Sequence, residues 1–176
     1  CDLTAVRACV DVGSNRGSFA LQFRAINSTA RFWAIEPDQS VADDYANRPD
    51  IRFLPIRLEA AELPAGRFDL VCCCHTLEHL ASPRRALQQI YRSMRAGGML
   101  YLEVPRLDFI AREDIVEEFF IDKHLYHFTE QLLVATARSA GFDIREECGR
   151  GDEPNIMLVV EKVSEPSRRE AELTDE

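Results

Sequence analysis

The sequence predicts an α/β fold: a doubly wound sheet of seven strands, mostly parallel, closed by an antiparallel C-terminal hairpin. Short apolar runs alternate with stretches of helical period along the chain, as expected of a parallel sheet with helices on both faces. The first run passes straight into a turn containing glycine and then into a helical pattern, which is how such sheets open a nucleotide pocket. The last two runs are separated only by Gly149-Arg150-Gly151-Asp152-Glu153-Pro154, too short for a crossover helix, so they must pair antiparallel.

Strands are predicted at Ala8–Val12, Arg31–Ile35, Ile51–Leu54, Phe68–Cys74, Met99–Val104, Phe142–Cys148 and Asn155–Glu161. Leu70–Cys74 and Met99–Val104 are almost continuously apolar, the mark of central strands buried on both faces. Helices are predicted at Ser18–Ile26, Gln39–Ala46, Pro83–Met94 and Glu130–Ala140. The helix from Pro83 has Ser82 as N-cap and proline in its first turn. It sets Ala86, Leu87, Ile90, Tyr91 and Met94 on one face and is expected to stop at Ala96-Gly97-Gly98. Thr129 caps the helix from Glu130, which ends at Gly141. Residues 1–163 thus read as one domain and 164–176 as a charged tail without aromatics.

A chain of 176 residues with 46% hydrophobic and 29% charged side chains builds one globular core. Its net charge of -9 argues against nucleic acid or an anionic membrane as partner, since its largest basic clusters are Arg84-Arg85 and Arg168-Arg169. No apolar run reaches the ~20 residues that cross a bilayer, and no signal peptide is visible. The six cysteines, Cys1, Cys9, Cys72, Cys73, Cys74 and Cys148, read as small buried hydrophobes in a reducing, cytoplasmic setting. Cys72, Cys73 and Cys74 cannot share one metal, because side chains alternate faces along a strand, and no metal site is predicted. The chain opens at Cys1 and reaches its first strand within a few residues, so it is expected to be part of a longer or processed protein.

The chemistry concentrates in three places. The first is the turn V-D-V-G-S-N-R-G over 10–17, where Gly13 and Gly17 would let a ligand approach the backbone. With glycine only at those positions it is not the dinucleotide fingerprint G-x-G-x-x-G. The second is Glu36, ending the second strand roughly 20 residues later, where an acid accepts hydrogen bonds from both ribose hydroxyls and disfavours a 2′-phosphate. Pro37 keeps Glu36 extended. The third is H-T-L-E-H-L over 75–80, beyond the fourth strand, in which Leu77 and Leu80 read as core and Glu78 and His79 as capping or packing residues.

Taken with F-W-A-I-E-P, R-F-D-L-V-C-C-C-H-T-L-E-H-L and M-R-A-G-G-M-L-Y-L-E-V-P, the turn resembles the class I S-adenosylmethionine-dependent methyltransferases, whose first motif is D/E-x-G-x-G-x-G. The stretches follow in the family's order over most of the chain. Asn15 replaces the middle glycine, a mild departure because Asn tolerates a left-handed backbone. The resemblance implies a Rossmann-like sheet and S-adenosyl-L-methionine as cofactor. Its cofactor set would be Asp11, Gly13, Ser14, Asn15, Gly17, Glu36, Pro37, Glu59, Ala60, Cys74 and His75. Asp11 would orient the turn or receive the cofactor's ammonium group. Glu59, in a segment similar to G-D-A-x-x-L-P, would contact the adenine amino group, although it can equally start a helix. In many members helices before the first strand cover the substrate, and such a cap is expected to be missing here or to belong to a part of the protein outside this chain.

On the acceptor side, Asp122–Thr129 resembles the E-H-x-x-x-F-T/S stretch of methyltransferases acting on sugars, polyketides and surface polysaccharides. Some of these methylate carbon and use the His as base. His124 matches that His, while Lys123 stands where Glu is expected. His127, Tyr126 and His75 are the alternatives as catalytic groups. The His pair before a helix cap can also be structural. Phe109, Phe119 and Phe120 would wall a pocket or join the core. The expected function is methyl transfer to a small-molecule acceptor, favouring a sugar or glycan precursor. A protein or RNA methyltransferase, a degenerate domain that binds cofactor or partner, and an NAD oxidoreductase are the competing readings.

Overall fold

A computed structural model describes residues 2–108, 124–148 and 153–163. Seven strands form one sheet: β1 (Ala8–Val12), β2 (Arg31–Ile35), β3 (Ile51–Leu54), β4 (Phe68–Cys74), β5 (Met94–Pro105), β6 (Phe142–Cys148) and β7 (Asn155–Lys162). Their order is β3-β2-β1-β4-β5-β7-β6. The first five run parallel, and β7 pairs antiparallel with both β5 and β6. The strand order reverses between β1 and β4, so a ligand cleft is expected beyond the carboxyl ends of these two strands.

Helices α3 (Pro83–Ser93) and α4 (Glu130–Ser139) cover one face through Ala86, Leu87, Ile90, Leu133 and Ala137, all packed into the larger core. Helix α1 (Ser18–Ile26) and the short α2 (Ala42–Ala46) cover the other, where Phe23, Phe32, Val41 and Tyr45 pack together. Both expected caps form: Ser82 Oγ accepts from Arg85 N–H and Thr129 Oγ1 from Leu132 N–H. No described helix is long and apolar enough to cross a membrane.

Two elements depart from expectation. Gln39–Val41 forms a separate 3₁₀ turn, so α2 starts at Ala42. Helix α3 stops at Ser93, and Met94 is already extended. The expected Gly97-Gly98 helix terminus is instead a bulge inside β5: Phe68 pairs with Met94 and Leu70 with Met99. Glycine is needed there because a Cβ on Gly98 would lie 2.9 Å from the Arg95 carbonyl and 3.0 Å from that of Phe68. Phe109, Phe119, Phe120, Lys123, Cys1, most of the β6–β7 loop and the 164–176 tail lie outside the described residues.

Candidate cofactor cleft and acceptor face

The turn after β1 holds three residues in the left-handed region: Gly13 at φ 76°, Asn15 at 44° and Gly17 at 79°. Asn15 thus takes the conformation that its substitution for glycine demands. Few of the turn's N–H groups remain for a ligand. Gly13 and Ser14 donate to the Ile35 carbonyl, Asn15 donates to Glu36 Oε2 at 2.9 Å, and Gly17 donates to the Ser14 carbonyl. The glycines also serve a different purpose from the expected one. A Cβ on Gly13 would sit 1.8 Å from Thr76 Oγ1, and one on Gly17 would sit 2.4 Å from Arg48 Nη1. Here it is protein, not ligand, that forbids the side chains.

Tyr45, which the sequence pattern did not single out, anchors this turn. Its buried hydroxyl lies 2.8 Å from both Ser14 Oγ and the Asn15 carbonyl, and its ring stacks on Phe53 at 4.2 Å. Arg48 adds a bond to the Arg16 carbonyl. Ser14 is therefore a buried structural link in the loop.

A cleft of about 580 Å³ opens beyond the strand ends, lined by Gly13, Asn15, Glu36, Pro37, Leu58 and His79, among others. Glu36 stands at its rim with each oxygen held: Oε1 accepts from Asp38 N–H and Oε2 from Asn15 N–H, both at 2.9 Å. Ile35, Pro37, Leu58 and Leu80 supply apolar walls. Glu59 and Ala60 do not line this cleft. Glu59 instead accepts from Ala81 N–H at 3.1 Å, tying the β3–β4 connection to the loop after β4.

On the other side of the turn lies a second cavity of about 410 Å³, lined by Asp11, Ser14, Asn15, Cys72, Cys74 and Tyr101 among others. Asp11 is only 4% exposed. Burial pushes its carboxyl up to about 7, with the Cys72 thiol pulling the other way and Glu36 adding to the rise. Cys72 and Cys74 share this face with Sγ atoms 3.4 Å apart, and Cys73 points away into the core. The described cysteines are all free.

The loop after β4 begins at His75, a non-glycine residue at φ 46°. Its Nε2 lies 3.2 Å from Glu103 Oε1, which also accepts from Asn155 Nδ2 at 2.8 Å, while Tyr101 donates to Glu103 Oε2. These partners come from β5 and β7, too far away in sequence for spacing to reveal. Of the four predicted catalytic groups, His75 lines the cleft, and His124, Tyr126 and His127 do not. His79, read as a packing residue, lines it, and His124 sits behind it with ring centroids 4.8 Å apart. Tyr126 donates its hydroxyl to the Ala81 carbonyl at 3.0 Å. Glu78 is 1% exposed, and burial raises its carboxyl above the usual range against the pull of His79 and His75.

The chain has relatives over most of this framework. Residues 3–147 match the family described as a methyltransferase domain. The chain is 32% identical over 116 residues to a tRNA U34 carboxymethyltransferase of Desulforapulum autotrophicum, a match taking in 62% of this chain but 34% of that protein. A tRNA U34 carboxymethyltransferase of Syntrophotalea carbinolica is 31% identical over 108 residues, 58% of this chain and 33% of its own length. Among solved structures, the methyltransferase in complex with the Haloferax volcanii Trm112 activator superposes with a TM-score of 0.77, at 16% identity over 92% of this chain and 87% of that one. An S-adenosylmethionine-dependent methyltransferase from Mesorhizobium loti gives 0.75, at 14% identity over 92% and 93%. Human N-acetylserotonin methyltransferase, solved with S-adenosylmethionine, gives 0.73 at 16% identity over 93% and 50%. Those structural likenesses speak for the fold, while the match over residues 3–147 places the sequence itself: the chain belongs to the methyltransferase domain family.

Proposed function

We propose that this chain transfers a methyl group from S-adenosyl-L-methionine to a small-molecule acceptor. The observation that carries the reading is Glu36. Its carboxylate is fixed at the cleft rim by two backbone N–H groups, that of Asn15 in the turn and that of Asp38 just beyond β2. A carboxylate has about four lone-pair sites, so two remain for a ribose diol. The apolar walls beside it suit a flat base, and the buried Asp11 lies across the turn, on the side where a cationic amino-acid portion would be neutralised. The donor set therefore fits this cofactor. Bound, it supplies a methyl group already activated on a sulfonium, so the protein has only to align the acceptor and take up its proton. Among the predicted groups we assign that proton to His75, a choice supported by its contact with Glu103 and its position on the cleft wall.

A sugar or glycan precursor as acceptor rests on the sequence of the Asp122–Thr129 segment alone. An RNA acceptor is the second reading, favoured by the two curated relatives, each of which is matched over about a third of its length. The net charge of -9 speaks against it. Calorimetry with S-adenosylhomocysteine and with NAD tests the cofactor: binding of the first and not of the second is expected, and the reverse refutes the reading. Incubation with methyl-labelled cofactor and either total tRNA or a nucleotide-sugar pool tests the acceptor. Label in the tRNA overturns the small-molecule assignment.

A further inference from the structure

The chain contains four histidines, His75, His79, His124 and His127, and the fold brings the first three near one carboxylate, that of Glu78. They come from two segments 45 positions apart, joined by a backbone clamp. The Glu78 carbonyl accepts from Leu125 N–H at 2.9 Å and from Tyr126 N–H at 3.1 Å. This clamp sets His124 against His79 and His127 beside His124, at 6.2 Å between ring centroids. The Glu78 side chain is 99% buried, and its oxygens take no hydrogen bond from another residue, only the pull of its own backbone N–H. His79 Nε2 lies 3.7 Å and His75 Nδ1 4.0 Å from Glu78 Oε1. A buried carboxylate without donors costs several kcal/mol unless a positive charge compensates it. Ligand atoms of Glu78, His79 and His124 all lie within 4.8 Å of one another.

We propose that Glu78, His79 and His124 form a binding site for a divalent first-row transition-metal ion at the acceptor side of the cleft. Two imidazoles and one carboxylate select zinc, cobalt or iron(II) over magnesium or calcium, which prefer oxygen. Tetrahedral zinc with bonds near 2.1 Å needs donors about 3.4 Å apart. The 3.7 Å pair is nearly there, and binding of the ion would draw the remaining ligand atom in from within 4.8 Å. Glu78 arrives on a short 3₁₀ turn whose backbone is held by Leu125 and Tyr126, so the acid is preplaced and the histidines adjust to it. An E-H pair with a His 45 positions later carries no metal signature, so spacing alone does not reveal the site. Three protein ligands leave positions open, and His79 lines the cleft, so those positions face the acceptor. There the ion would hold an acceptor oxygen and acidify its hydroxyl, as zinc does for bound water. That last role, unlike the binding of the ion, rests on the methyltransferase reading.

The test uses the whole chain, free of affinity tags and stripped with EDTA, titrated with Co²⁺ and followed by visible absorption. One equivalent is expected to give d–d bands that Zn²⁺ abolishes by displacement. His79→Ala, His124→Ala and Glu78→Gln are each expected to weaken Co²⁺ affinity at least 10-fold, with circular dichroism confirming the fold. His79 is a third exposed, so its variant keeps the readout available if the Glu78 variant unfolds. Absence of saturable binding, or binding that survives both histidine substitutions, overturns the proposal. So does a thiolate charge-transfer band, which would put the ion on Cys72 and Cys74. Titration of S-adenosylhomocysteine in EDTA reports separately on the cofactor cleft, so failure of one reading is distinguishable from failure of the other.

Discussion

Substitution of Glu36 probes the cofactor cleft most directly, because the side chain does two jobs with separable outcomes. Its oxygens each accept one backbone N–H, from Asp38 and from Asn15, and the second of these pins a residue at φ 44°. Truncation in Glu36→Ala hands both N–H groups to water, since neither is deeply buried. At about 0.5–1.5 kcal/mol for each ordinary hydrogen bond, the fold loses about 1–3 kcal/mol. That corresponds to a melting-point drop of a few degrees for a chain of this size. The ligand loses more. Charge-assisted bonds to two hydroxyls, together with the loosened turn, should cost about 1.5–3 kcal/mol, or roughly 10- to 150-fold in Kd.

The decisive variant is Glu36→Gln. A glutamine offers one carbonyl oxygen where two N–H donors converge from opposite sides, so its NH₂ must face one of them. It cannot restore the clamp, and its affinity for S-adenosylhomocysteine should fall nearly as far as that of the alanine variant. An acid acting only as a distant surface charge would behave differently, with glutamine close to wild type and the loss in Ala screened by salt. Calorimetry at two ionic strengths, alongside thermal melts, separates the cases. Affinity for S-adenosylhomocysteine within twofold of wild type in both variants refutes the assignment of this cleft.

Four further outcomes are expected. Asp11 binds its proton more tightly folded than unfolded, so stability should fall as pH rises from about 4 to about 7, by up to roughly 1.4 kcal/mol per pH unit; denaturant midpoints should show that slope, and Asp11→Asn should remove it. Tyr45→Phe should lower stability by about 1–2 kcal/mol in urea titrations and weaken S-adenosylhomocysteine binding, because the turn loses its bonds to Ser14 and Asn15. Gly13→Ala should destabilise by at least about 2 kcal/mol through the contact with Thr76 and the positive φ; Gly13→Ala with Thr76→Ala should recover only a fraction of it in the same measurement, because Thr76 Cβ would still lie 2.9 Å from the new methyl. Glu103→Gln should leave S-adenosylhomocysteine affinity unchanged in calorimetry yet cut methyl transfer at least about 10-fold, because His75 loses its orienting anion.

The strand–helix order, the antiparallel hairpin and both helix caps were readable because each depends on local pattern: an apolar period, a loop too short to cross, a Ser or Thr at one position. The bulge at Gly97-Gly98 was not, since those residues look identical whether they end a helix or kink a strand, and only the pairing of Phe68 with Met94 decides. The cofactor rim divides the same way. Glu36 could be placed by its distance from the turn, whereas Tyr45 carried no signal, since a tyrosine on a short helix is indistinguishable from core. Gly13 was recognised as indispensable for a reason that belongs to Thr76 rather than to a ligand.

The acceptor side shows where local reading stops. His75, Glu103 and Asn155 meet at the carboxyl end of β4, the same end of β5 and the start of β7. They are neighbours because β7 runs antiparallel and brings its first residue to the end where the parallel strands finish. The same topology explains why Glu78 can be both buried and useful. Its backbone carbonyl is consumed by the 125–126 segment, which closes over the loop and shuts water out. A carboxylate placed there without donors lowers stability, and a fold keeps such a group when something else needs it. Glu78→Leu makes that choice visible: if the acid is only a packing defect, the apolar variant should melt higher and transfer methyl groups as well as wild type. If it serves the acceptor, the variant should gain stability, by about 1–3 kcal/mol, and lose turnover. A variant that neither gains stability nor loses turnover would refute the cost assigned to the buried charge as well as its purpose.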